Sequence, residues 1–128
     1  MAEPTRVDLP VVLAIHDEQL AEHGGATGLR DLSLLESALA RPRNLYAYKS
    51  ASLAALAASY AYGIAMNHPF LDGNKRTSFV VSELFLALNG VELTVEDNAV
   101  VITWLKLARG HISEAELAAW MAANSRTN

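Results

Sequence analysis

Apolar positions along this chain recur mostly at intervals of three and four, and the alternation a half-buried strand needs is scarce, so the pattern predicts an all-α fold. Start and stop signals divide it into about six helices. The first spans roughly Pro10 to Glu22, with Asp8 placed to cap it, Gly24-Gly25 after its end, and Val12, Leu13, Ile15 and Leu20 as its apolar residues. Ser33-Leu34-Leu35-Glu36 has the capping-box form and opens or reinforces a short second helix, starting at Ser33 or at Asp31 and ending before Pro42. Leu53, Leu56, Ala57, Tyr60 and Ile64 mark a third within Ala51 to Asn67. The fourth, from about Asn74 to Leu88, is apolar nearly all round, which places it at the centre of a bundle. Thr94 is placed to cap a fifth helix reaching about Ala108, with Trp104 and Leu107 inward. A second capping box, Ser113-Glu114-Ala115-Glu116, opens a sixth through Leu117, Trp120 and Met121.

The segment Arg41 to Ser50 reads differently. It is basic, and Tyr46 and Tyr48 stand at alternate positions, as in a short extended surface flap between the second and third helices. Val91 to Thr94 reads as briefly extended and Asn124 to Asn128 as a polar, frayed tail. With no internal repeat, low-complexity tract or linker, residues 1–128 are expected to form one compact single-domain bundle.

Composition narrows the function classes. A chain of 128 residues, 52% of them hydrophobic, builds one real core but has no room for a two-lobed kinase or for a nucleotide-binding sheet with a separate substrate domain. The formal net charge of -4 opposes phosphate backbones, so no direct nucleic-acid partner is expected. Cysteine is absent, which excludes disulfide frameworks, thiolate zinc sites and thiol nucleophiles and agrees with a reducing cytoplasm. Met1 to Asp8 lacks the basic start and apolar run of a signal peptide, and a cytoplasmic location is expected. Ala51 to Asn67 carries no charge, but it is interrupted by polar residues and is shorter than the roughly 20 apolar residues of a span, so no membrane partner is expected.

Between Ala51 and Val91 only Asp72, Lys75, Arg76 and Glu83 are charged, and three of them fall within five positions. Such a cluster must surface where one helix ends at Asn67-His68, Pro69 blocks its continuation, Gly73 permits an unusual backbone angle and Asn74 begins the next helix. The free N–H groups and positive dipole end at Gly73 to Arg76 form an anion site, to which Lys75 adds a point charge and Arg76 a planar fork. Asp72 beside that cradle suits a divalent cation such as Mg²⁺ shared with phosphate oxygens. Imidazoles titrate near neutral pH, so His68 has the chemistry to take a proton from an attacking hydroxyl. Taken singly, these residues also suit a purely structural helix–loop–helix corner. Elsewhere, His16 with Asp17 and Glu18 reads as a solvated polar face, His23 and His111 as turn residues, and Tyr60 and Tyr62 as core packing. No Walker-type loop, zincin helix or nucleophilic serine elbow is present.

The run His68-Pro69-Phe70-Leu71-Asp72-Gly73-Asn74-Lys75-Arg76-Thr77 closely resembles the signature of the Fic/Doc superfamily, in its Doc (death-on-curing) toxin branch. Gly24-Gly25-Ala26-Thr27-Gly28-Leu29-Arg30-Asp31, continuing through Leu34-Leu35-Glu36 to Arg41-Pro42, is similar to the early region of that branch. The resemblance implies a general base at His68, a Mg²⁺ ligand at Asp72, and nucleotide phosphates held by Gly73, Asn74, Lys75, Arg76 and Thr77. It leaves Pro69 and Phe70 structural and makes the flap, with Arg43, Tyr46 and Tyr48, the segment that aligns an extended piece of the target. Adenylyl-transferring relatives usually carry Gly where Lys75 stands and a second Arg where Phe79 stands. The Asn-Lys-Arg version implies instead an ATP-dependent kinase acting on a threonine of elongation factor Tu, which blocks translation. The family's self-inhibitory helix motif, Ser or Thr, three residues, Glu, then Gly or Asn, is absent, so restraint is expected from an antitoxin whose segment folds as a helix on binding. The competing readings are a protein adenylyltransferase and a catalytically inactive, antitoxin-binding helical module.

Overall fold

The computed structural model describes residues 3–127 and contains six helices and a two-stranded ribbon. In chain order these are α1 (Leu9–His23), α2 (Leu32–Lys49), α3 (Leu53–Asn67), α4 (Asn74–Leu88), β1 (Val91–Leu93), α5 (Asp97–Ala108), α6 (Glu114–Ala123) and β2 (Ser125–Thr127). Among the described residues, no helix is long and apolar enough to cross a membrane.

The central helix is α3, not α4 as its all-round apolar pattern had suggested. Along α3 an unbroken run from Leu56 to Ala61, then Gly63, Ile64 and Ala65, is buried, and the helix packs against α2, α4, α5 and α6. Small side chains bring the partners close: a Cβ on Gly63 would stand 3.1 Å from Ala38 Cβ and 3.2 Å from Ala38 Cα, which is backbone of α2. In α4, by contrast, Phe79, Val80 and Leu84 are only half-buried, and the inner face carries Thr77, Ser78 and Ser82. Ser78 Oγ donates to the Ala61 carbonyl at 2.7 Å and accepts from Trp104 Nε1 at 3.0 Å, so its hydroxyl joins three helices without a polar orphan. Gly63→Val is expected to lower stability by about 1–3 kcal/mol, the range for overpacking a closed core, in urea unfolding followed by circular dichroism.

Three further expectations need correction. The segment Arg41–Ser50 is not an extended flap: α2 continues through Pro42 to Lys49 and stops at Ser50, whose φ of 47° is left-handed. A proline inside a helix removes a hydrogen bond at a cost of about 3 kcal/mol, yet Leu35, Ala38, Leu39 and Pro42 are buried and Leu45 and Tyr46 pack on the core with the same helical spacing. Burial on that face offsets the break. Arg43 and Tyr48 therefore lie on a helix surface, Tyr48 at 86% exposure. The tail, in turn, is not frayed over its described part. Ser125–Thr127 pairs antiparallel with Val91–Leu93, Val91 opposite Thr127 and Leu93 opposite Ser125, while Asn128 lies outside the described residues. Thr94, finally, caps no helix; its N–H and Oγ1 both donate to the Asn124 carbonyl, at 2.7 and 3.2 Å, and α5 begins only at Asp97. At α2 the cap is Asp31, which accepts from Leu34 N and Ser33 Oγ, whereas the box at Ser113 and Glu116 forms as expected.

Candidate active site

The turn between α3 and α4 is built by three devices that the local sequence encodes. α3 ends at His68, whose left-handed backbone (φ 51°, ψ 55°) reverses the chain before Pro69. Phe70 then plunges into the core at 1% exposure. Gly73, also left-handed at φ 77°, starts α4. Asn74 binds the turn to itself: its Oδ1 accepts from Phe70 N at 3.0 Å, and its Nδ2 donates to Phe70 O at 2.9 Å and to His68 Nδ1 at 3.1 Å.

Loop residues 24–31 complete the corner. Arg30 Nε donates to the His68 carbonyl at 2.7 Å and Arg30 Nη2 to the Asn67 carbonyl at 2.8 Å, capping the C-terminus of α3 with a fork. The N–H groups of Arg30 and Asp31 both donate to Pro69 O, and Leu71 N donates to Gly28 O. Asp72 is part of the same lacing, since Oδ2 accepts from Ala26 N at 3.2 Å and Oδ1 from Gly73 N at 2.9 Å. Gly25 has no room for a side chain there, as a Cβ would stand 2.8 Å from Asp72 Oδ2.

These two main-chain donors, Ala26 first, and then the Arg76 guanidinium hold the Asp72 carboxyl below the usual carboxylate range. A carboxylate favoured in the folded state contributes stability that is complete above the unfolded value of about 3.9 and is lost as pH falls through the folded value. The difference in melting temperature between the wild type and Asp72→Asn should therefore hold steady above about pH 5 and close as the buffer is acidified below about pH 4.

The corner opens onto a cleft of about 730 Å³, within the size range of small-molecule sites. His68, Asp72, Gly73, Asn74, Lys75 and Arg76 line it, together with Val100, Val101, Trp104 and Leu105 of α5. Phe79 and Val80 of α4 also line it, with Phe79 edge-on to Trp104. The first-turn N–H groups of Asn74, Lys75 and Arg76 precede the first intrahelical bond, Thr77 N to Gly73 O at 3.0 Å, and are those a helix leaves without an i−4 partner. Lys75 and Arg76 are exposed, and neither forms a salt bridge among the described residues. The result is an open helix start with two exposed cations beside it, in a cleft whose remaining lining is mostly apolar but includes Gln19, His23 and the acid Asp97.

Not every expected residue sits as the sequence suggests. Asn74 is buried at 4% and both of its amide protons are committed inside the turn, so only its main-chain N–H is left for a ligand. Thr77 is fully buried, does not line the cleft and leaves Oγ1 without a partner. Glu83 does not line the cleft, and burial together with Asp97 pushes its carboxyl up. Arg43, Tyr46 and Tyr48 belong to α2 and do not line it either. Two residues given no role beforehand prove central. Arg30 clamps the α3 terminus, and His16, expected on a solvated face, is 2% exposed beneath the loop. Its signal was present: Val12, His16, Gln19 and Leu20 share one face at helical spacing.

The Asn74 bond also assigns the His68 proton. Phe70 N–H fixes which end of the Asn74 amide is oxygen, so His68 Nδ1 accepts and a neutral ring carries its hydrogen on Nε2. To receive a proton the ring must release Asn74 from Nδ1, or exchange tautomers so that Nε2 presents the lone pair. Either move costs one hydrogen bond, about 1 kcal/mol.

The residues present fit a hard divalent cation only in part-share form. Asp72 retains free lone pairs, but no group of three or more metal-binding side chains occurs among the described residues. An ion held there must complete its shell with water and ligand oxygens, as Mg²⁺ does beside phosphates.

The model of the Fic/DOC family matches residues 6–86. The chain is 32% identical over 108 residues to a protein kinase doc of Escherichia phage P1, covering 84% of this chain and 85% of that one. It is 39% identical over 75 residues to a Toxin Doc of Mycolicibacterium smegmatis, covering 57% of this chain and 58% of the relative.

Proposed function

The chain belongs to the Fic/DOC family, and we propose that it is the toxin of a toxin–antitoxin pair that transfers the γ-phosphoryl group of ATP to a hydroxyl of a target protein. The acceptor in this reading is a threonine of elongation factor Tu, the consequence is a block of translation in the cytoplasm, and the restraint is an antitoxin segment that folds as a helix on binding. One observation carries the catalytic part: His68, Asp72, Lys75, Arg76 and the open first turn of α4 all line one cleft.

The residues divide the work. The N–H groups of the first turn, with Lys75 and Arg76, hold the phosphates and oppose the charge that builds on them as the bridging bond loosens. Asp72 would hold Mg²⁺, which supplies further neutralisation of phosphate charge when bound. The acceptor hydroxyl oxygen bonds to the γ-phosphorus, the bond from that phosphorus to the bridging oxygen breaks, ADP leaves, and His68 takes the hydroxyl proton. Phe79 and Trp104 make the region beyond Arg76 apolar, where a second arginine clamp would otherwise stand. This favours γ-transfer over adenylylation.

The test is the position of the label. Purified toxin, Mg²⁺ and elongation factor Tu should give a radioactive target from γ-labelled ATP and none from α-labelled ATP. Label arriving from the α position would replace the kinase by an adenylyltransferase. Growth arrest on expression with no label from either position would leave a binding module.

A further inference from the structure

α1 supplies a buried group that phosphoryl transfer leaves unused. The His16 ring is 2% exposed and lies flat on Phe70, with centroids 3.7 Å apart and planes 8° from parallel. Its Nε2 is 2.9 Å from the main-chain oxygen of Asp72, and since a carbonyl only accepts, the imidazole donates. The same ring edge stands 3.7 Å from the place a Cβ on Gly73 would occupy.

That carbonyl belongs to the peptide between Asp72 and Gly73, which leads into α4. Gly73 N–H is held by Asp72 Oδ1 at 2.9 Å, so the peptide is tied at its nitrogen by the carboxylate and at its oxygen by His16. Glycine at φ 77° tolerates several backbone orientations. The two hydrogen bonds select one, and the selected orientation sets where the N–H groups of Asn74, Lys75 and Arg76 point.

We infer that His16 is a positioning residue that fixes the phosphate cradle from below without touching the ligand, an inference that rests on reading this loop as an ATP site. An imidazole that only filled space would be replaceable by another flat ring. His16→Phe keeps the stack on Phe70 and removes the donor, while His16→Gln restores an N–H at similar reach and removes the ring.

Under the inference, His16→Phe raises KM for ATP about three- to tenfold, as the loss of one hydrogen bond allows, with kcat nearly unchanged, and His16→Gln recovers most of it. Amide hydrogen exchange at Gly73 and Asn74, measured by NMR without nucleotide, is faster in His16→Phe and restored in His16→Gln. Wild-type KM and exchange in His16→Phe would overturn the inference. So would equal impairment of both variants in step with lost stability, which would make His16 packing alone. If the wild type uses no ATP, the functional reading fails, and the exchange comparison alone then decides for His16: faster and rescued supports it, unchanged sinks it.

Discussion

Under the proposed function, phosphoryl transfer by His68→Ala is expected to fall by about two to four orders of magnitude, the contribution of a positioned general base, and growth arrest on expression is expected to disappear with it. The fold should survive. His68 is exposed at the end of α3, and its ring makes one hydrogen bond, to Asn74 Nδ2. Its main chain is left-handed, which alanine tolerates less well than histidine or asparagine. His68→Asn therefore provides the matched control, because it suits the backbone and still lacks a base. Both variants should melt close to the wild type while single-turnover transfer from γ-labelled ATP collapses. Transfer within tenfold of wild type in His68→Asn would exclude His68 as the base. Arrest of growth by both variants without any transfer would turn the protein into a binding module.

Phe70→Ala is expected to cost about 3–5 kcal/mol, the usual range for deleting a buried aromatic ring, against a total stability of about 5–15 kcal/mol for a domain of this kind. The estimate is at the high end of single substitutions for a reason visible in the packing. The ring is 1% exposed, carries the His16 stack, and sits on the residue whose N–H and carbonyl both engage Asn74. Its removal opens a cavity beneath the turn and frees the elements that place His68 and Asp72. Urea unfolding should show the loss, and Phe70→Leu should recover part of it. A change below about 1 kcal/mol in Phe70→Ala would mean that the loop is held by its hydrogen bonds alone.

Much of the site was legible because its parts are close in sequence. A helix end, Pro69, Gly73 and a new helix at Asn74 lie within a few residues, and local backbone chemistry is enough to produce the turn and its open N–H groups. The segment Arg41–Ser50 misled for the opposite reason. Pro42 and two alternate tyrosines are strong local signals, but Leu39, Pro42, Leu45 and Tyr46 have a helix face to bury against the core, and burial outweighs the missing bond. Asn74 and Thr77 show a further limit. Both belong to the motif, yet α4 turns their side chains inward, where Asn74 ties the turn together and Thr77 is fully buried.

From the sequence alone came the all-helical class, most helix boundaries, the corner that carries the charges, and the resemblance that the family match later supported. These depend on periodicity and on neighbours a few residues apart. Tertiary structure decided which helix is central, that the tail pairs with Val91–Leu93, and that Arg30 and His16 serve the loop from 38 and 56 residues away. Those contacts depend on which surfaces meet once the chain has closed on itself, and spacing along a single helix carries no record of the partner across from it.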